Sequence, residues 1–266
     1  MNLPGESPPS NRLAAWQRQN PLADILRDSG SRGQGIRMAL VDTAVQWDLI
    51  REWHPGAHCP SPSFGLGPVG PRAPTHGTLM TDILLRLAPA VQLESHDVFH
   101  GRPTAEPEAL VCALSLIRQT GNCRLVNLSL GIPEDRWDTP KFKLARQGLA
   151  REVLACYRAG IVVIASAHNA HPVLQSAPAD NPPPLVSVAK GLFEDPLHLE
   201  YHPGDTAEFR ARGLGYWGVT AGSPSSSCAT AHVSGLVCRL LALEPNLRPF
   251  QVKALLAWYA EQSRSG

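Results

Sequence analysis

Three side chains in this 266-residue chain carry the atoms that acid–base and nucleophilic chemistry needs, and each stands at the edge of an apolar segment. Asp42 follows the run Ile36–Val41 (IRMALV). A carboxylate at the end of a buried strand must find a partner, because burying an unpaired charge is costly. His76 lies in Thr75-His76-Gly77-Thr78, where a loop rich in His, Pro, Gly and Ser becomes an apolar helix. Ser227 ends Ser225-Ser226-Ser227, just before the apolar segment Cys228–Leu243. Helix N-termini favour serine caps and developing negative charge. Singly, each has a bland reading: a turn-capping Asp, a polar surface His, a Ser N-cap. Together, carboxylate, imidazole and hydroxyl are the parts of a nucleophile activated by an oriented base.

Such groups have to be brought together by a scaffold, and the pattern around them supplies one. Ile36–Val41, Val91–Phe99, Arg124–Leu130, Ile161–Ser166 and Leu185–Lys190 read as strands. Ile161–Ser166 (IVVIAS) is the clearest continuous apolar run, the mark of a strand buried on both faces. Gly77–Leu87, Glu106–Gln119 and Phe142–Ala159 have helical apolar spacing, with Gly160 as a stop. Cys228–Leu243 is apolar almost all round, as a buried helix is. Pro249 opens a last helix reaching about Glu261. Strand–helix alternation predicts an α/β fold with a mostly parallel central sheet and helices on both faces. Such sheets bind ligands beyond the carboxyl ends of their strands. Asp42, Ser129 and Asn169 all lie at or just after strand ends, on one rim.

In the order Asp, His, Ser, with the Ser opening a helix, the sequence resembles the subtilisin-like serine proteases. The matching blocks are ALVDTAV around Asp42, THGT around His76, VNLSLG at 126–131, VVIASAHNA at 162–170 and SSCATAHVSG at 226–235. LRPFQVKALL (Leu247–Leu256) is similar to the family's closing helix. The resemblance spans about Gly35 to Leu256 and implies a three-layer subtilisin-like fold. It implies Ser227 as nucleophile, His76 as general base and then acid, and Asp42 as the group that orients the imidazole. It implies Asn169 as an oxyanion-hole donor together with the Ser227 N–H. Ser129-Leu130-Gly131 would pair with the backbone of an extended peptide. The expected domains are an N-terminal extension (1–34), a peptidase domain (35–261) and a short tail (262–266).

The sequence departs from the family pattern at Ala44, Ser225 and Ala231. It departs most pointedly at His168, where the family has Gly beside the primary specificity pocket. An imidazole there would narrow the pocket, add polarity or shift the backbone carrying Asn169. These departures keep a second reading open, a catalytically silent or gated fold that binds peptides or regulates a partner. A third is an esterase or ligase using the same acyl-enzyme. The 34 residues before Gly35 look too short for a folding pro-domain, and part of residues 1–28 is a candidate inhibitory peptide.

Composition bounds the rest. Hydrophobic residues make up 43% of the chain, enough for a sizeable core, and the net charge of +1 advertises neither nucleic acid nor an anionic membrane as partner. No run is apolar enough to read as a membrane span, and the start MNLPGESPPSNRLAAW lacks the pattern of a secretory signal. A cytoplasmic location with six reduced cysteines is therefore expected. The expected partners are a peptide or protein substrate and an unknown activator or inhibitor protein, without nucleic acid or membrane. Histidine pairs occur at 54/58, 96/100, 168/171 and 198/202. The first contains helix breakers and the second lies in a strand pattern, so no metal and no cofactor is assigned. Cys228, next to Ser227, reads either as a thiol activated by the helix N-terminus or as a small buried residue. A dinucleotide-binding reading fails, because VDTAVQW follows the first strand where a Gly-rich turn would be needed.

Overall fold

The computed structural model describes residues 30–59, 73–181 and 183–263, together with Asp24 and Leu26. The expectations for most of the N-terminal extension, including the inhibitory peptide, and for the last residues of the tail lie outside the described residues. A seven-stranded sheet runs in the order β2-β1-β3-β5-β7-β9-β8. Its strands are β1 (Arg37–Asp42), β2 (Gln92–Asp97), β3 (Leu125–Leu128), β5 (Val162–Ser166), β7 (Val186–Gly191), β8 (Leu199–Tyr201) and β9 (Phe209–Arg212). All neighbours pair in parallel except β8, which runs antiparallel to β9 along the edge. A separate two-residue ribbon pairs β4 (Ile132–Pro133) with β6 (Ser176–Ala177).

The α-helices whose bounds are described are α1 (Trp47–Trp53), α2 (His76–Leu87), α3 (Pro107–Thr120), α4 (Pro140–Arg158), α5 (Val219–Gly222), α6 (Ser226–Leu243) and α7 (Pro249–Ser263). The side-chain alternation of β1 divides the core into two layers. Met38 and Leu40 pack with Met80 and Ile83 of α2 and with Val233 and Val237 of α6. Ala39 and Val41 face the other way, onto Leu110 and Leu114 of α3 and Leu149 of α4. Helix, sheet and helix thus form three layers. By composition and length α6 could cross a membrane, but 78% of it is buried inside this domain, where it is the central core helix.

Local signals account for most boundaries. Proline occupies the first turn of α3 and α4, where its missing N–H costs nothing. Gly121 ends α3 in the left-handed region at φ 65°, and Gly160 follows α4 at φ 80°. The predicted strand at 124–130 stops at Leu128, which leaves Ser129–Gly131 as an open segment before β4. Helix α1, the short strands β8 and β9 and the ribbon were not evident in the pattern. Helix α1 buries only Ile50, too little for a periodic signal.

The strand order places the site. Strand β1 has β2 on one side and β3 on the other, so the chain reverses its winding direction there. The crevice beyond the carboxyl ends of β1 and β3 is the expected ligand position. Asp42 ends β1 at that point. Helices α2 and α6 are drawn together at Gly235, where an added Cβ would lie 2.7 Å from the Cβ of Leu87, the last residue of α2 and at the opposite end of that helix from His76. Substituting Gly235→Ala should therefore destabilise the domain by about 1–3 kcal/mol. An exposed helix would instead gain about 1 kcal/mol from the same change. The sign is read from the midpoint of denaturant unfolding.

Candidate active site

The Asp42 side chain is fully buried. Its Oδ1 accepts the Thr43 N–H at 2.7 Å. The His76 Nδ1–H lies 2.8 Å from Oδ1 and 2.9 Å from Oδ2, shared between the two. An ionised carboxylate only accepts, so the Nδ1 proton is fixed and Nε2 is left with its lone pair. His76 is the first residue of α2, capped by Thr75, whose side chain accepts from the Thr78 N–H. The segment after β1 is laced to this helix start. Gln46 accepts from the Thr75 N–H, and Thr78 Oγ1 accepts from the Gln46 N–H, both at 2.8 Å. Thr43 Oγ1 accepts from the Gly77 N–H at 2.8 Å, and a Cβ on Gly77 would lie 2.2 Å from the Thr43 carbonyl oxygen. Only glycine permits that approach.

Burial is the largest influence on the His76 imidazole and pushes its pKa down. The Asp42 charge and hydrogen bond outweigh burial, leaving the pKa above the ordinary 6.5.

Ser227 sits in the first turn of α6. Ser225 is the N-cap and accepts the Cys228 N–H on its side chain at 3.2 Å. The Ser226 N–H donates to Asn169 Oδ1 at 2.8 Å. This orients the Asn169 amide, because its oxygen must face the donor. Among the described residues, neither the Asn169 NH2 group nor the Ser227 N–H has a protein acceptor. Two donors beside one hydroxyl at a helix N-terminus are suited to holding an oxyanion.

The Ser227 hydroxyl donates to the Ser129 carbonyl at 2.9 Å, and no hydrogen bond joins it to His76. A polar chain lies beneath. Ser234 of α6 donates to Asn127 Oδ1, Asn127 Nδ2 donates to Ser129 Oγ, and Ser129 Oγ donates to the Ser227 carbonyl. Asn127 and Ser234 escaped the sequence reading. The only trace of them is a polar residue inside each of two otherwise apolar segments.

The structure thus brings Asp42, His76, Ser227, Asn169 and Ser129 to one rim, with Leu130 and Gly131 continuing from β3. Gly131 backs onto the ribbon, where an added Cβ would be 2.3 Å from Ser176 Oγ. The His168 ring folds onto its own turn, Nδ1 accepting the Ala170 N–H at 3.1 Å. Ala44, Ser225 and Ala231 all have negative φ, so none strains a position that needs glycine's freedom. Cys228 is fully buried, and burial pushes its thiol up, opposite to activation. Four histidines pair with single carboxylates: His54 with Asp82, His96 with Glu94, His171 with Asp205 and His202 with Glu200. Among the described residues no group of His, Cys, Asp or Glu could hold a metal ion.

No family model matches the chain, and no curated protein sequence does. Solved structures do. A prenylagaramide maturation protease, PagA, superimposes with a TM-score of 0.61 at 20% identity, covering 85% of this chain and 82% of its own. A cold-adapted subtilisin-like serine proteinase gives 0.60 at 18% identity, covering 87% and 84%. A lanthipeptide protease gives 0.56 at 17% identity, covering 88% and 80%. The fold is subtilisin-like.

Within that fold the Asp42–His76 contact makes a prediction that does not depend on turnover. The His76 ring resonances should titrate above pH 6.5 by NMR, and in Asp42→Asn the midpoint should fall below it, since burial remains and the charge does not. The linked stability has a definite sign. A raised imidazole pKa contributes fully below the ordinary value and is lost as pH rises through the folded one.

Proposed function

We propose that this chain is a serine endopeptidase that hydrolyses peptide bonds through an acyl-enzyme. The observation that carries the reading is the imidazole of His76, clamped through Nδ1 by the buried Asp42 carboxylate with Nε2 left as base. In this mechanism an extended peptide lies along Ser129–Gly131. The Ser227 hydroxyl turns from the Ser129 carbonyl to His76 Nε2 and gives up its proton as Oγ attacks the carbonyl carbon. The negative oxygen is held by the Ser227 N–H and the Asn169 amide. The imidazolium, stabilised by Asp42, then protonates the leaving amine. Water repeats the sequence on the acyl-enzyme with His76 again as base.

The Ser227–Ser129 hydrogen bond favours a gated form of the same reading. The carbonyl that holds the hydroxyl is the acceptor nearest the reacting atom. A peptide N–H that pairs with it displaces the hydroxyl toward His76. The resting site is then closed by its own nucleophile, and substrate pairing opens it. A silent binder of the same fold would share this resting geometry and stop there.

Fluorophosphonate labelling tests the proposal, with the modified residue located by mass spectrometry. Ser227 should be labelled in wild type, not in Ser227→Ala, and far more slowly in His76→Ala. The wild-type rate should rise with pH through a midpoint above 6.5, because His76 must be neutral to act as base. Substituting Asn169→Ala should cost about 10²–10³ in peptide turnover, the scale measured for the subtilisin donor. A folded wild type that resists the probe both alone and with peptide present would establish the silent binder instead.

A further inference from the structure

The ribbon that continues the segment Ser129–Gly131 is too short to hold itself in place. Its strands β4 and β6 share two residue pairs, Ile132 with Ala177 and Pro133 with Ser176. One more backbone bond, from the Glu134 N–H to the Gln175 carbonyl at 3.0 Å, extends it. An isolated two-stranded pair is marginal in water even at greater length. Yet this ribbon sets the depth of Gly131. A Cβ built on Gly131 would lie 2.3 Å from Ser176 Oγ and 2.6 Å from the Ala177 carbonyl oxygen, so the segment rests directly on β6. Its near end, Ser129, is held from β3 by Asn127. Its far end is only as fixed as the ribbon.

One side chain on α4 reaches both strands of the ribbon. Arg146 follows Ala145 and stands one turn from Leu149, both core residues, so packing fixes its backbone. Its guanidinium lies over the Trp137 ring at 3.7 Å, and the Trp137 Nε1–H donates to the Ile132 carbonyl of β4 at 3.0 Å. Its Nη2 donates to Asp180 Oδ2 at 2.6 Å, and the Asp180 N–H donates to the Ser176 carbonyl of β6 at 3.0 Å. The Asp180 side chain is 3% exposed, and among the described residues Arg146 is the one cation paired with it. Removing one partner of such a pair leaves a buried charge uncompensated. A planar guanidinium can stack on a ring with its face and donate at its edge together, which an ammonium cannot.

We infer that Arg146 is a positioning residue for peptide binding, clamping β4 through Trp137 and β6 through Asp180 so that Gly131 is held where an extended peptide pairs with it. The inference rests on the peptidase reading above and adds a residue that touches neither substrate nor reacting atoms. Its consequence is selective. Loss of Arg146 frees the Gly131 end of the segment, while Ser129, tied to Asn127, keeps its place beside Ser227. Chemistry on a small molecule at Ser227 is then retained. A peptide long enough to pair with Gly131 is bound less tightly, which raises KM and leaves kcat nearly unchanged.

Wild type, Arg146→Ala, Arg146→Lys and Trp137→Phe are compared in two assays. The first sets the rate of fluorophosphonate labelling at Ser227 against turnover of denatured, fluorescein-labelled casein, with the labelling end-point counting active enzyme. In Arg146→Ala the labelling rate should stay within about twofold of wild type, while KM for casein rises about tenfold. Arg146→Lys keeps a cation for Asp180 and loses the flat face on Trp137, so it should recover part of the KM. Trp137→Phe keeps the stack and loses the bond to Ile132, so its KM should rise less than in Arg146→Ala. An unchanged KM would overturn the inference. So would labelling and kcat falling together at constant KM, the mark of a merely structural residue. The second assay needs no turnover. Amide exchange followed by mass spectrometry should quicken about tenfold over residues 130–137 and 175–180 in Arg146→Ala, with β1 and β3 unchanged. Unaltered exchange there would overturn the clamp. A wild type that the probe does not label fails the peptidase reading on its own, and one that does not cleave casein leaves it standing. In both cases the exchange measurement decides the clamp. Should Arg146→Ala not fold, Arg146→Lys and Trp137→Phe carry both readings.

Discussion

A carboxylate buried without access to water, at the end of the strand where the sheet reverses its winding, is the constraint around which the rest is arranged. Asp42 cannot remain charged there unless donors reach it, and breaking a buried ion pair typically costs about 3–5 kcal/mol. One donor is the next backbone N–H. The other has to come from outside the strand, and it comes from the first residue of α2. That fixes how closely α2 must approach β1, and the neighbouring sequence serves the approach. Gly77 has no Cβ to strike the Thr43 carbonyl, the side chains of Thr43, Gln46 and Thr75 accept the free N–H groups at the helix start, and Thr78 in turn accepts the Gln46 N–H. The interaction that orients the imidazole is therefore also the one that docks the helix.

The serine is held by a different device. Helix α6 runs through the core, where apolar packing alone would tolerate small slides along its axis. A directed series of hydrogen bonds from Ser234 through Asn127 and Ser129 to the Ser227 carbonyl ties the helix to β3 in one register. Each group in the series donates once to the next, so a slide would leave several buried polar groups unpaired at about 1–3 kcal/mol each. The depth of Ser227 is thereby set against the strand that continues into Ser129–Gly131.

The sequence made the larger parts of this arrangement legible for physical reasons. Strands β1, β5 and β7 are buried on both faces, so they read as continuous apolar runs. Helices α3 and α4 bury one stripe each and carry it at helical spacing. Asp42, His76 and Ser227 stood out because each interrupts an apolar segment at its end. The rest depended on contacts that spacing does not encode. Asn127 lies inside a strand, and its value appears only when Ser234, 107 positions away, is beside it. His168 announced itself as an unusual residue, but only its geometry shows the ring bonded to its own turn. Asp180 lies in ADNPPP, where nothing in the pattern marks a buried carboxylate, and its pairing with Arg146 is visible only in the structure. Strand β9 (FRAR) alternates over just four residues, too few to stand out.

Helix α1, the element least evident in the pattern, has a place in the same logic. His54, at its C-terminal cap, reaches Asp82 in the middle of α2 at 2.8 Å. Asp82 is almost fully buried and also accepts from Arg86 Nε at 3.0 Å. So α2 is braced twice by His–carboxylate contacts of opposite sense: it supplies the histidine to β1 at its first residue, and the carboxylate to α1 nearly two turns later. Arg86 then lies over the Tyr216 ring at 4.3 Å. The Tyr216 hydroxyl approaches His232 Nε2 of α6 at 3.5 Å. Burial holds the His232 pKa down to about 4, so its imidazole is neutral over the working range, with Nδ1–H donating to the Cys228 carbonyl and Nε2 accepting. A neutral imidazole can complete this bridge at any pH where His76 can act as a base. The helices that carry His76 and Ser227 are thus coupled by a polar route on one side and by the close approach at Gly235 on the other. Neither route passes through the side chains of Asp42 and Ser227 or the imidazole of His76. In the proposed mechanism the Ser227 hydroxyl exchanges its partner from Ser129 toward His76 by a side-chain rotation, while the helices that position the two residues stay where they are.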